Sequence, residues 1–255
     1  MRYVVPGSLA ATLDGFEAIH FDKRVLPNSA RRELASFIAS RFEQPGSYGG
    51  TGMPAPTERD FAQGVRVFTG ERACSWVGTA HILGEEACRA LLLLDVHTAD
   101  VLEPLARATR AMVLRLAKDD ARYGQPAGHY CCCTCSVALW RQLVACGLDH
   151  HDERLRHGVS ILAGRRTGDG RWKGYPFYYT LLALLEMTVV EAQDELEYAA
   201  ARCAAILARG LKGEEPYATR RRVLLERVLA RCDVPIPVRT EKRRGVRACR
   251  RVARV

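Results

Sequence analysis

Apolar residues recur along this chain at intervals of three and four rather than two. Leu34, Phe37, Ile38 and Phe42 mark a first helix from about Ser29 to Glu43. The same spacing predicts further helices near residues 71–94, 98–120, 129–146, 151–165, 175–188, 191–209 and 217–231. Thr57 through Asp60 reads as a capping-box variant that opens a helix of its own. Alternation at period two is confined to Arg2–Val5, too short to demand a strand. Residues 1–28, punctuated by Pro6-Gly7 and Pro27-Asn28, read as irregular. The run from Pro45 to Pro56 is dominated by Gly and Pro, so it is a loop, and a long one for a compact domain. The expected fold is all-α, built from consecutive helix pairs with short turns.

A faint repeat organises these helices. Ala87–Leu92, Cys135–Trp140 and Thr180–Leu185 superpose at offsets of 48 and 45 residues, the length of a two-helix repeat. These three segments are apolar on nearly every side and are expected to be the inner helices of their pairs. Asp152–Leu162 has a polar face and is expected outside. The chain divides accordingly into an N-terminal arm, first helix and loop (1–56), a body of helical hairpins (57–235) and a basic tail (236–255).

Composition narrows the class. The hydrophobic share of 48% and charged share of 26% are those of a globular domain. No apolar run approaches the ~20 residues of a membrane span, and no leader-like segment opens the chain, so a cytoplasmic location is expected. Eight Lys/Arg against Glu241 give residues 239–255 a charge of +7, leaving +2 of the total +9 for all the rest. Such a tail suits an acidic protein or nucleic acid, or is simply a solvated terminus. Four of the ten cysteines, Cys131, Cys132, Cys133 and Cys135, crowd into five residues, which no disulfide framework would do. Cys74, Cys88, Cys146 and Cys203 read as small apolar residues of helices.

Residues 128–187 resemble a known repeat. Gly128-His129-Tyr130-Cys131-Cys132-Cys133-Thr134-Cys135 leads through Gly147-Leu148-Asp149 to an outer helix. There follow Gly168-Asp169-Gly170-Arg171-Trp172 and an inner helix with Thr180. This resembles squalene-hopene cyclases and protein prenyltransferase β subunits, where an outer helix ends in an Asp-Gly-x-Trp turn. The resemblance implies an α/α toroid, closed or incomplete, whose inner helices surround a cavity for an apolar, isoprenoid-like ligand. It also implies zinc where the enzyme is a prenyltransferase. The Asp-x-Asp-Asp acid of the cyclases is absent, and no segment matches the prenyltransferase zinc ligands residue by residue.

Several residues could carry chemistry. Cys131 and Cys135, read as i, i+4 neighbours on one helix, could bind zinc with His129 or with His150-His151 from the following turn; one of the thiols could instead be a nucleophile, or all could be packing residues. His81 and Glu85, also at i, i+4, suit metal ligation or acid–base work, or a buried polar pair. Asp169 is a third catalytic candidate, though its turn also has a plain structural purpose. Tyr130, Tyr175, Tyr178 and Tyr179 are candidates for contacting an apolar ligand, or are core. The acids of Asp149-His150-His151-Asp152-Glu153 are explained by Asp149 or Asp152 as a helix N-cap rather than by the aspartate-rich, magnesium-binding motif of isoprenoid synthases. The competing function is a non-enzymatic helical scaffold that recruits partners through its tail.

Overall fold

The computed structural model describes residues 3–48, 52–73, 75–211 and 213–237. Ten helices lie among them: α1 Leu9–Phe21, α2 Asn28–Ala39, α3 Glu58–Gln63, α4 Trp76–Leu94, α5 Ala99–Tyr123, α6 Cys133–Val144, α7 His151–Ala163, α8 Phe177–Glu186, α9 Val190–Arg209 and α10 Tyr217–Arg231. The fold is all-α. Among the described residues there are no strands, only isolated bridges at Arg66–Arg72 and Arg166–Trp172.

One helix departs from the expectation. Residues 9–21 form α1 where the sequence pattern predicts an irregular arm, with Leu9, Leu13, Phe16 and Ile19 buried along one stripe. Ser8 caps it by accepting the Ala11 N–H. Asp60 braces the same end, accepting the Ser8 hydroxyl (2.6 Å) and the Leu9 N–H (3.0 Å), while it also closes the Thr57 capping box of α3. One carboxylate therefore fixes two helix starts, and the arm is part of the folded body.

The inner helices are those the repeat marked. α4 packs on α6, α6 on α8, and α8 on α10, with α1 against α4. On the other side, α2 touches α4 and α5, α7 touches α6 and α9, and α9 touches α8 and α10. All of Thr134–Leu143 on α6 is buried, and burying each large apolar side chain there contributes roughly 1.5–3 kcal/mol. α8 begins after Pro176, which has no side-chain cap to give; Glu71, from a distant loop, accepts the N–H groups of Tyr178 (2.8 Å) and Tyr179 (3.1 Å) instead.

Charges cross the inner layer. Arg141 of α6 is paired with Glu17 of α1 (2.5 Å), Glu86 of α4 (2.6 Å) and Glu186 of α8 (2.8 Å). Arg89 adds pairs to Glu17 (2.6 Å) and Glu186 (2.9 Å). A pocket beside this network is bounded by Leu13, Phe16, Leu83, Glu17, Glu86 and Arg141. No helix is long and apolar enough to cross a membrane among the described residues. Cys88 and Cys203 are buried in helices, as expected of apolar thiols, whereas Cys146 is exposed beyond α6 at φ 57°. Cys74 and the basic residues 239–255 lie outside the described residues.

Candidate metal centre

The cysteine run does not form one continuous helix. α6 starts at Cys133, so Cys132 is its N-cap and Cys131 precedes it in a left-handed conformation (φ 55°). The i, i+4 argument for Cys131 and Cys135 is thereby corrected; a turn, not a helical face, brings them together. Ser136 holds that turn. Its Oγ accepts the Tyr130 N–H (3.2 Å) and sits 2.9 Å from both Cys132 O and His129 Nδ1. Upstream, Trp140 donates its indole N–H to Gly128 O (2.6 Å), which ties the segment to the second turn of the same helix.

α4 supplies the other half. His81 faces the cysteines, and a ring nitrogen of His81, Cys131 Sγ and Cys135 Sγ all lie within 4.8 Å of one another. His81 is 2% exposed, yet neither ring nitrogen has a hydrogen-bond partner. One turn on, Glu85 is fully buried and both its carboxyl oxygens are likewise without partners. The Tyr130 hydroxyl makes a third such group. Buried polar atoms are normally satisfied, because each unpaired one costs roughly 1–3 kcal/mol. Three of them around two thiols is a site shaped for something more.

The walls are aromatic. The Tyr48 ring meets His81 edge-on at 3.5 Å and Tyr130 stacks on it at 5.7 Å. The loop before α3 closes over α4 at Gly84, where a Cβ would come within 3.2 Å of Met53. Arg115 of α5 donates to the Tyr48 hydroxyl (3.1 Å). Cys131 and Cys132 are exposed, so the cluster opens to solvent on the cysteine side and is closed on the other.

Electrostatics follow from this half-closed setting. Burial, helped by the Arg115 charge, lowers His81 to about 4, leaving the imidazole neutral and ready to donate a lone pair at pH 7. Burial also pushes Glu85 well above the carboxylate range, with Glu86 and Cys132 adding to it. Cys132 is lowered to about 5, first by its hydrogen bond with Cys135 and then, against burial, by the N–H groups of Cys135 and Thr134 at the helix start. Its Sγ is 3.4 Å from that of Cys135.

Comparison of the chain with protein-family models, with curated proteins and with solved structures finds no match. The site must speak through its own atoms.

The remaining candidates are elsewhere or otherwise engaged. His129 is not one of the converging ligands: its Nδ1 is shared between Ser136 Oγ and the Tyr175 hydroxyl (3.2 Å). His81 takes the place that sequence proximity gave to His129. Asp169 is exposed on the turn between α7 and α8, accepting the Thr167 hydroxyl (2.6 Å), while Trp172 wedges inward and donates to Glu195. Of the four tyrosines, only Tyr130 borders the cluster. Tyr175 stacks on Trp140, the Tyr179 hydroxyl donates to Glu86, and Tyr178 lies under Arg221. Neither Asp149 nor Asp152 caps α7 as expected: the N-cap is His150, in a left-handed conformation and with no side-chain cap bond, while Asp149 accepts from Arg154 and Asp152 lies in the first turn. Cys132 is the site residue that sequence reasoning misses, although its Cys-x-x-Cys spacing to Cys135 is a visible signal.

Proposed function

We propose that this chain binds zinc through His81, Cys131 and Cys135, and that this centre is its working site within an α/α toroid of the terpenoid-cyclase and prenyltransferase kind. The observation that carries the reading is the convergence of three ligand atoms from two separate segments around an imidazole that is buried and unpaired. Zinc favours nitrogen and sulfur donors, and tetrahedral coordination sets them roughly 3.5–4 Å apart, so small rotamer shifts complete the set. Three protein ligands leave a fourth position. That is the pattern of catalytic rather than structural zinc, whose contribution is to polarise a bound group or activate a nucleophile.

The chain's own residues shape what enters. Glu85 offers a carboxyl one turn from His81, able to give or take a proton beside the metal. Tyr48 and Tyr130 pack their rings against His81 and give the centre an apolar surround, which suits an apolar, isoprenoid-like ligand reaching it from the exposed Cys131 side. The space between α1, α4 and α6 is crossed by the ion pairs of Arg141, a charged setting that does not suit an apolar ligand.

Elemental analysis of the purified full chain tests the metal. About one zinc per chain is expected, falling at least tenfold in His81→Ala and Cys135→Ser. A wild-type chain that retains no zinc after incubation and desalting would sink the reading. For the ligand, a prenyl diphosphate should raise the melting temperature of the zinc-loaded protein but not of His81→Ala. The scaffold reading rests on the +7 charge of residues 239–255. It predicts nucleic-acid or acidic-protein binding that weakens steeply with salt and vanishes when those residues are deleted.

A further inference from the structure

The metal reading uses Cys135 but leaves its neighbour Cys132 without a task. Cys132 is exposed at the N-cap of α6, and Cys135 is buried at the third helical position, their sulfurs 3.4 Å apart. A Cys-x-x-Cys at a helix start, outer thiol accessible and inner thiol enclosed, is the arrangement in which two cysteines exchange readily with a disulfide. Here the inner thiol is also a metal ligand, and it faces His81 and Glu85, both buried with no partner. We propose that Cys132 and Cys135 form a redox couple that empties the metal centre: a low-molecular-weight disulfide oxidises the pair and the zinc ion is released. The inference rests on the zinc reading above and adds its regulation.

The chemistry balances. The Cys132 thiolate attacks one sulfur of the small disulfide, whose S–S bond breaks, and the first thiolate leaves with the electron pair. The Cys135 sulfur then attacks Cys132 Sγ and expels the second. The Cys132–Cys135 bond forms, the two cysteine sulfurs are oxidised, and the reagent is reduced to two thiols. The proton Cys132 gave up on forming its thiolate ends on one leaving thiolate; the other takes its proton from the Cys135 thiol in metal-free protein and from water in metal-bound protein. In metal-bound protein Cys135 is already a thiolate, and zinc departs as that sulfur is consumed, leaving His81 and Cys131 as an incomplete ligand set. A dithiol reductant reverses the process.

Geometry also decides between possible cross-links. Cys131 Sγ also lies within 4.8 Å of Cys135 Sγ, but the Cys132 and Cys135 sulfurs are in direct contact at 3.4 Å, and Cys131, adjacent to Cys132, is held at φ 55° by the turn. Cys133 is not a rival, because a Cβ on Gly174 would already come within 3.2 Å of its sulfur; it points towards the start of α8.

The experiment uses the zinc-loaded full chain exposed to glutathione disulfide, with zinc release followed by a chromogenic chelator and cross-links located by peptide mass mapping. The expected result is a Cys132–Cys135 cross-link, a loss of about 2 Da, appearing in step with zinc release and reversed by dithiothreitol plus zinc. Cys132→Ser keeps a good helix N-cap, so it should fold and hold zinc, but release it roughly tenfold or more slowly under the same oxidant. A cross-link between Cys131 and Cys135, a stable mixed disulfide on Cys132, retention of zinc by the cross-linked chain, or a Cys132→Ser variant that releases zinc as fast as wild type would each overturn the proposal. Failure of the underlying reading looks different. In that case the chain takes up no zinc, and the cross-link forms at one rate with or without it.

Discussion

Glu85 is the residue whose ionisation works against the fold. Burial, with the charges of Glu86 and Cys132, raises its pKa well above the ordinary 4.5. The folded chain therefore keeps a proton that the unfolded chain gives up, and stability falls as pH rises from about 4.5 towards the folded value. Glu85→Gln preserves shape and removes that proton. The metal-free variant is expected to match wild type near pH 4 and to exceed it at pH 8 by about 1–3 kcal/mol, read from denaturant melts in chelator. A variant less stable at pH 8 would mean that the carboxylate has a partner in solution. Part of this site is legible in the sequence: the His81/Glu85 pair follows from helical spacing, whereas Cys131 and Cys135 are flagged by their crowding but brought together by a turn rather than by the helical face their spacing suggests. Their union is not, because it depends on the register of α4 against α6, which no local pattern encodes. His129 is favoured by nearness in sequence, yet Ser136 and Tyr175 turn its ring to another purpose.

Among the helices, α7 comes close enough to the segment that leads into α6 to leave no room for a side chain at Gly158 or Gly128. A Cβ on Gly158 would collide with Trp140 Nε1 and come within 2.8 Å of Gly128 O. Gly158→Ala must therefore displace either the indole or the backbone ahead of Cys131. It should cost about 1–3 kcal/mol and lower zinc retention as well, measured by thermal melts and metal analysis. At Gly15, inside α1, an added Cβ would meet nothing within 4 Å, and Gly15→Ala should instead stabilise by about 0.5–1 kcal/mol through helix propensity. If both substitutions cost the same, packing is not what distinguishes them. Helix periodicity exposes most of these elements in the sequence. α1 escapes it because Pro6-Gly7 and Pro27-Asn28 on either side read as punctuation of an irregular segment, while the Asp60 carboxylate that braces its Ser8 cap comes from a distant part of the chain.

Across the whole molecule, the five charges of Glu17, Glu86, Glu186, Arg89 and Arg141 join α1, α4, α6 and α8. None stands out in the sequence, since each alone looks like the polar face of an amphipathic helix. Only the meeting of four helices makes them interior. Burial alone would raise Glu17, but Arg141 and Arg89 outweigh it and lower the group to about 2. Its contribution to stability is thus complete above the unfolded value near 4.5 and is lost as pH falls towards 2. Arg141→Met strands three carboxylates with one guanidinium and should cost about 3–5 kcal/mol at pH 7, with a smaller further loss on acidification than wild type shows. An acid-unfolding midpoint unchanged by the substitution would count against the network as a brace.

The indole of Trp140 gives this architecture an optical readout. Of the three tryptophans, Trp76 is exposed and quenchable by iodide, while Trp140 and Trp172 are buried. Because Trp140 holds Gly128 O directly, its emission should report any shift in the strip of backbone that carries Cys131. Loading and loss of the ion can then be timed on unlabelled protein, by a fluorophore the chain already owns.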